Sequence, residues 1–212
     1  MAAERARGRV KSGRPKGADS EARREQILAD STELFIEHGY YGVTMSMVAR
    51  ACGISPTGLA HYFSTKDQLL EAILHRRDEL DRKNVDLVSD SAAATGWEHF
   101  RWLVALARHN ERQPRMLRLY TTMAAEATNP EHPARQWLLD HHRNAREDMV
   151  RSCQEAIEAG QLREDAPVED IVRLLIGALD GLQLQFLSDA RFSSMGDTFE
   201  VLVDALYERY KA

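Results

Sequence analysis

Apolar residues recur every three or four positions through most of the chain, which is the spacing of amphipathic helices. In the first third, Ser20 can cap a helix, and Ile27, Leu28 and Phe35 then follow this spacing up to Gly39, a residue type that commonly ends a helix. Runs of β-branched residues, which favour strands, are scarce. The pattern therefore predicts an all-α protein.

Two turn signals lie close together after this first helix. Thr44 can cap a short helix over residues 45–52, and Gly53 can adopt the left-handed conformation that a tight turn needs. Ser55 can cap again, with Pro56 at the first position of a helix of about two turns. Short helices joined by a glycine turn predict a helix-turn-helix, whose second helix enters the major groove of DNA.

The second helix of this motif has a core face and a polar face. Leu59 and Phe63, four positions apart, anchor the core face. The polar face and the leading end of the helix hold Ser55, Thr57, Gly58, His61 and Tyr62. Short hydroxyls and Gly58 allow close approach to phosphates and base edges, and Lys66 follows at the start of the next helix, within reach of another phosphate.

Charge is distributed unevenly along the chain, although the formal net charge is −5. Residues 1–66 carry ten Lys and Arg against seven Asp and Glu, whereas the remainder carries 18 against 26. The N-terminal third is therefore the part suited to a polyanion. Arg14, within the basic stretch SGRPKG, is a candidate for contact with the minor groove, and a solvated tail is the alternative.

Residues 21–74 resemble the tetracycline-repressor (TetR) family of bacterial transcription regulators, through the segments LFIEHGY, VARACGIS and HYFSTKDQLL. The resemblance implies an α-helical homodimer with an N-terminal DNA-binding domain and a C-terminal domain that binds a small ligand and dimerises. Most members repress transcription until the ligand arrives. Carried over to this sequence, the usual DNA contacts fall on Thr44, Met45, Ser46, Ser55, Pro56, Thr57, Gly58, His61, Tyr62 and Lys66. Ala60 departs from the pattern, because the family commonly has an aromatic residue there.

Two helices near the C-terminus predict an interface with a second copy of the chain. Residues 168–187 are apolar nearly all round after the first turn, and Gly177 and Gly181 lie on one side. A helix that is apolar on several faces must be buried on several faces. Together with the apolar stripe of residues 197–210, it predicts a two-fold dimer and a near-palindromic operator.

Aromatic and other large side chains in the middle helices are candidates for the lining of a ligand cavity. They are Trp97, Trp102, Tyr120, Met123, Trp137, His141 and Phe186. Ordinary core packing is the alternative for each of them. A cavity in this position would take a mostly apolar ligand held by a few polar groups. The sequence predicts no cofactor, and its histidine spacings are not those of a zinc site.

These observations predict three parts: a flexible basic arm at residues 1–19, a DNA-binding domain at 20–82, and an effector-binding and dimerisation domain at 83–212. The predicted function is a ligand-responsive repressor, and the alternatives are a ligand-independent architectural DNA-binding protein or an activator. An enzyme is disfavoured because no glycine-rich phosphate loop or nucleophile elbow is found. No signal peptide and no run of about 18 uncharged apolar residues is present, which predicts a cytoplasmic protein without a membrane span.

Overall fold

The computed structural model describes residues 16–86, 95–189, 191 and 194–212. These residues form nine helices and no strand, and one isolated bridge pairs Leu162 with Lys211. In chain order the helices are α1 (Lys16–Gly42), α2 (Met45–Ala51), α3 (Pro56–Ala60), α4 (Lys66–Asp86), α5 (Glu98–Glu111), α6 (Pro114–Glu126), α7 (Arg135–Glu158), α8 (Val168–Ser188) and α9 (Met195–Tyr210). The prediction of an all-α fold is confirmed.

Helix α1 begins before its predicted cap and has a kink near its end. The sequence predicted a start at Ser20, whereas the helix already runs from Lys16 through Gly17 and Ser20. Gly39 has φ 62° and ψ −179°, so the regular helix ends there, as predicted. Glycine is favoured at this position because other residues rarely adopt a positive φ.

The two caps predicted for the helix-turn-helix are present. The Thr44 Oγ1 atom accepts a hydrogen bond at 3.2 Å from the backbone N–H three residues later, and Ser55 Oγ does the same at 3.0 Å. The sequence predicted a helix of about two turns, which would end near residue 63. Helix α3 instead ends at Ala60. It is shorter because the N–H groups of residues 62 and 63 both bond to the Leu59 carbonyl, which closes the helix.

Two apolar cores organise the described residues, and the first joins the N-terminal helices to α6 and α7. It contains the buried faces of α1 to α4 together with Leu119, Met123 and Trp137. The second core lies among α5, α7, α8 and α9, around Phe100 and Phe199. Helix α6 therefore packs directly on α1. Residues 87–94 lie outside the described residues.

Helix α8 is long and apolar enough to cross a membrane if only length and composition are considered. Within this chain, 22% of its most apolar window is buried. The helix nevertheless packs against α6, α7 and α9, and it carries Arg173 and Asp180. A core helix of a soluble protein passes the same test, so the result is weak evidence for a span. Most of this apolar helix is not buried in the single chain.

Candidate functional site

The residues predicted to contact DNA lie on α2, on α3 and in the turns beside them. Those exposed to solvent are Thr44, Ser46, Ser55, Pro56, Thr57 and His61, and those partly buried are Met45, Gly58, Tyr62 and Lys66. Leu59 and Phe63 are 0% and 3% exposed, so they anchor α3 in the core as predicted. A short polar helix held from beneath by two buried side chains is the arrangement of a recognition helix. The individual DNA contacts stay predictions.

Lys66 has partners inside the protein that the sequence did not reveal. Its Nζ donates hydrogen bonds to the carbonyls of Tyr40 at 2.8 Å and Val43 at 2.9 Å. The same ammonium lies 4.0 Å from the centre of the Tyr40 ring, within the range of a cation–π contact. Lys66 therefore fastens the segment between α1 and α2 to the start of α4. A phosphate contact by Lys66 stays a prediction, and it competes with these bonds.

The predicted minor-groove residue Arg14 lies outside the described residues. The first described residue, Lys16, already belongs to α1, so residues 16–19 of the predicted arm are helical. The role of the basic arm therefore rests on its sequence alone.

The end of α6 is fastened to the end of α1 through Glu126. Its Oε2 accepts a hydrogen bond from the Tyr40 N–H at 3.1 Å and lies 3.1 Å from Nε2 of the buried His132. The His132 Nδ1 atom accepts from the Ala134 N–H, so Nε2 carries the hydrogen that is donated to Glu126. A Cβ atom at Gly39 would clash with the Glu126 carboxylate. This junction therefore depends on both glycine and glutamate.

A cavity of about 480 Å³ lies among α4, α5, α6, α7 and α8. Its volume is within the usual range of small-molecule sites. Of the seven residues predicted to line a ligand site, four lie in its wall: Trp102, Tyr120, Trp137 and His141. Leu103, Leu106, Ile176 and Leu179 supply apolar wall. The arrangement is that of a partly apolar binding site among the middle helices.

The other three predicted residues do not line this cavity. Trp97 packs on Phe100 and Tyr207, with ring centroids 4.5 and 5.4 Å away. Met123 lies in the first core, and Phe186 packs against the second. Helical periodicity placed all seven on apolar faces, but it does not distinguish a face that lines a cavity from one that fills a core.

The lining also holds charged residues that the sequence prediction missed. The carboxylates are Asp78, Asp140, Glu147, Asp148 and Asp180, and the guanidinium is that of Arg77. One signal was available in the sequence, because Asp180 interrupts an otherwise apolar helix. The remaining acids had no such signal, since charged residues on amphipathic helices usually face solvent.

Asp78 is balanced by partners within the protein. Its Oδ1 accepts from Arg77 Nη1 at 3.0 Å and its Oδ2 from Trp137 Nε1 at 2.9 Å, while His141 Nδ1 lies 3.6 Å away. Burial opposes ionisation of this carboxyl group, but the hydrogen bonds and positive charge around it outweigh burial and hold the pKa of Asp78 below its ordinary value. Asp78 is therefore ionised and paired at neutral pH.

Asp180 has weaker compensation. Its Oδ1 accepts a hydrogen bond from the Tyr120 hydroxyl at 3.0 Å, and its Oδ2 lies 3.3 Å from His142 Nε2. Burial, together with this carboxylate, raises the pKa of Tyr120, so the phenol keeps its proton. Among the described residues, no lysine or arginine forms an ion pair with Asp180.

Two buried polar atoms in the cavity wall have no hydrogen-bonding partner among the described residues. They are the acceptor Gln183 Oε1 and the donor Trp102 Nε1. Gln183 is only 9% exposed. Because buried polar groups are nearly always paired, these two atoms are available to bond with a molecule that enters the cavity.

The outer faces of α8 and α9 carry exposed apolar side chains. Large hydrophobic residues exposed in the described part of the chain are Tyr41, Leu139, Leu174, Leu184 and Val201, and the last three lie on α8 and α9. A Cβ atom at Gly177 or Gly181 would meet nothing within 4 Å in this chain. With Leu174 and Leu184, these glycines form a stripe at helical spacing, which we call the outer stripe of α8.

Sequence comparison identifies relatives of the chain. Residues 27–73 match the family described as "Bacterial regulatory proteins, tetR family". The chain is 28% identical over 193 residues to the HTH-type transcriptional repressor AcnR of Corynebacterium diphtheriae, which covers 90% of this chain and 92% of the relative. It is 29% identical over 176 residues to the HTH-type transcriptional regulator BetI of Rhizobium meliloti, which covers 81% of each chain.

Solved structures share the fold. A putative transcriptional regulator from Saccharomonospora viridis in complex with choline aligns with a TM-score of 0.72 at 21% identity, over 90% of this chain and 98% of that one. A SmeT–triclosan complex aligns with a TM-score of 0.74 at 21% identity, over 90% and 92% of the two chains. Fold and recognition helix together define a helix-turn-helix transcription regulator. The family match over residues 27–73, the relatives along most of the chain and the shared fold together support a regulator of the tetR family.

Proposed function

We propose that the protein is a transcriptional repressor that binds a near-palindromic operator as a homodimer and is released when a small, mostly apolar ligand occupies the cavity. One observation carries this proposal: α6 contributes Tyr120 to the cavity wall and, through Glu126, holds the segment that leads into α2. A ligand that moves α6 would therefore change the position of the helix-turn-helix. The choline and triclosan complexes of similar fold support a ligand-responsive regulator.

The domain boundaries are part of the proposal. We assign DNA binding to residues 20–82, with residues 1–19 as a basic arm, and effector binding and dimerisation to residues 83–212. The shared core of α1 to α4 supports the first assignment, and the cavity and outer stripe support the second. Contact between α1 and α6 supplies the link that a ligand response needs.

The outer stripe of α8 supports the homodimer. Large exposed apolar side chains arranged in a continuous stripe are typical of an interface between chains. Glycines within the stripe would allow a second helix to approach closely, which offsets the cost of about 1 kcal/mol for each glycine in a helix interior. A two-fold dimer presents two recognition helices, so its operator would contain two inverted half-sites.

Selection of bound duplexes from random DNA tests the DNA-binding function. We expect the full chain to select an inverted repeat, and we expect His61→Ala to change the preference at one base pair by about 1–3 kcal/mol. Gln154→Ala, at an exposed position on α7, is the matched control and should select the wild-type sequence. Binding without sequence preference would instead support an architectural protein.

Transcription from a promoter that carries the selected sequence tests the direction of regulation. We expect purified protein to lower transcript yield, and the Thr57→Ala and His61→Ala double variant to lose most of this effect. An increase in yield on addition of the protein would contradict repression and support the activator alternative.

A further inference from the structure

The negative charge in the cavity wall is only partly offset by arginines. The pairs that offset it are Asp78 with Arg77, Asp140 with Arg143 and Asp148 with Arg151. Of the two remaining carboxylates, Glu147 is exposed, whereas Asp180 is partly buried with a phenol and an imidazole as its partners. A carboxylate that faces the cavity without a lysine or arginine partner among the described residues favours a cationic ligand.

Aromatic rings line the same cavity as this carboxylate. Trp102, Tyr120 and Trp137 line the same cavity, and His99 stacks on Trp102 with ring centroids 5.5 Å apart. Burial lowers the pKa of His99, so this imidazole is neutral at pH 7 and does not supply the missing positive charge. The Arg77 guanidinium already lies 4.7 Å from the centre of the Tyr120 ring. The faces of tryptophan rings attract organic ammonium groups in the same way.

The two unpartnered atoms indicate a second, neutral group on the ligand. Gln183 lies three positions after Asp180 on α8, so both side chains share the face of the helix that lines the cavity. Gln183 Oε1 needs a donor, and Trp102 Nε1 needs an acceptor. A hydroxyl group can supply both, because it donates one hydrogen and accepts through its lone pairs.

We propose that the cavity binds a small organic cation, a quaternary or protonated amine with a hydroxyl group, whose ammonium lies against Asp180 and whose hydroxyl reaches Gln183 and Trp102. This assignment rests on the proposed function, because it identifies the cavity as the effector site. The apolar wall from Leu103, Leu106 and Ile176 accommodates the substituents on nitrogen. Asp180 selects for charge, and Gln183 with Trp102 selects for the hydroxyl.

Titration of the full chain with matched probes tests whether the cavity prefers a positively charged ligand. The probes are benzyldimethyl(2-hydroxyethyl)ammonium, choline, and 3,3-dimethyl-1-butanol, which is the neutral carbon isostere of choline. Calorimetry reports binding of each probe, and intrinsic tryptophan fluorescence, to which Trp102 and Trp137 of the cavity wall contribute, gives a second readout. We expect choline to bind at least about tenfold more tightly than its isostere, and the benzyl compound to bind more tightly still because it buries more apolar surface.

Two substitutions on α8 test whether Asp180 binds the ammonium group. Asp180→Asn should weaken binding of the ammonium probes about tenfold while leaving the isostere unchanged. Asp170→Asn makes the same chemical change at an exposed position of the same helix, outside the cavity, and should leave all three affinities unchanged. If Asp180→Asn does not fold, the comparison of choline with its isostere on the wild-type chain still decides the question.

The outcomes separate this inference from the proposed function. Equal affinity for choline and its isostere, no binding of either amine, or an Asp180→Asn variant that binds amines normally would overturn the cationic assignment. If a neutral or anionic compound binds in the cavity and releases operator DNA, the cationic assignment is wrong and the repressor proposal stands. If the amines bind but DNA binding is unaffected, the assignment of the cavity is right and ligand-controlled repression is wrong.

Discussion

The helix-turn-helix and the cavity differ in how their polar groups are hydrogen-bonded. At the start of α2 and of α3, the hydroxyl of the preceding residue bonds to the helix backbone, whereas some buried polar atoms of the cavity wall have no partner among the described residues. Thr44 and Ser55 each accept a backbone hydrogen bond at the beginning of α2 and α3. Gln183 Oε1 and Trp102 Nε1, by contrast, have no partner in the described part of the chain. The first region is complete by itself, while in the proposed function a ligand completes the second.

This difference determines what a substitution should do in each region. On α3, the buried face stabilises the fold and the exposed face is free to contact DNA, so the two effects should be separable. On α8, the cavity face and the outer stripe lie on opposite sides of one helix, so ligand binding and assembly should also be separable. Helix α6 connects the two regions, and a change at its end should affect both.

The largest effect is expected from Gly181→Arg in the outer stripe. The single chain has room for the new side chain, because a Cβ atom at Gly181 meets nothing within 4 Å. In the proposed dimer, an unpaired buried charge would cost about 3–5 kcal/mol. Sedimentation of this variant should therefore show a folded monomer, and Gln154→Arg on the exposed side of α7 should remain a dimer. A stable dimer of Gly181→Arg would exclude this stripe from the interface.

The next largest effect is expected from Leu59→Ala, which truncates a fully buried side chain of α3. The cavity it leaves should lower the free energy of unfolding by about 3 kcal/mol, as measured by urea denaturation. Thr57→Ala, on the exposed face of the same helix, should change stability by less than about 0.5 kcal/mol and reduce operator affinity. If the two variants were equally unstable, the division of α3 into a core face and a DNA face would be wrong.

The junction between the regions should give a smaller effect. Glu126→Gln removes the charge that accepts the Tyr40 N–H and the hydrogen of His132. We expect a loss of about 1–2 kcal/mol of stability and a reduced effect of ligand on operator affinity. Glu131→Gln, an exposed neighbour, is the control. An unchanged ligand response in Glu126→Gln would mean that the coupling runs through other contacts of α6.

The two regions also differ in how far the sequence predicted them. The helix-turn-helix was predictable because its determinants are local: Thr44, Gly53 and Ser55 act within three or four residues of their own positions. The predicted start of α1 was wrong by a few residues, because Ser20 lies within the helix instead of capping it. Such boundaries depend on weak preferences that neighbouring residues easily override.

The cavity was predictable in part, because its wall combines helices that are distant in the chain. Four of the seven predicted residues lie in its wall, whereas Trp97, Met123 and Phe186 lie on similar helix faces and pack in cores. The partners of Asp180 come from α6 and α7, and no spacing within α8 indicates them. Contacts between separate elements are what the sequence pattern lacks.

The smallest effect is expected at Lys66, where a DNA contact predicted from local sequence competes with contacts between separate elements. Its ammonium bonds to the carbonyls of Tyr40 and Val43, so Lys66→Met should lower the free energy of unfolding by about 1 kcal/mol. If Lys66 also binds a phosphate of the operator, its removal should reduce the slope of log K against log salt concentration by about 0.9.

Lys66→Arg keeps the charge, but its planar fork does not reproduce a point charge held between two carbonyls. We therefore expect Lys66→Arg to reduce stability and keep the salt dependence, and Lys66→Met to reduce both. A salt dependence that is the same in the wild type and both variants would assign Lys66 to the fold alone, because the phosphate contact predicted from sequence would then be wrong.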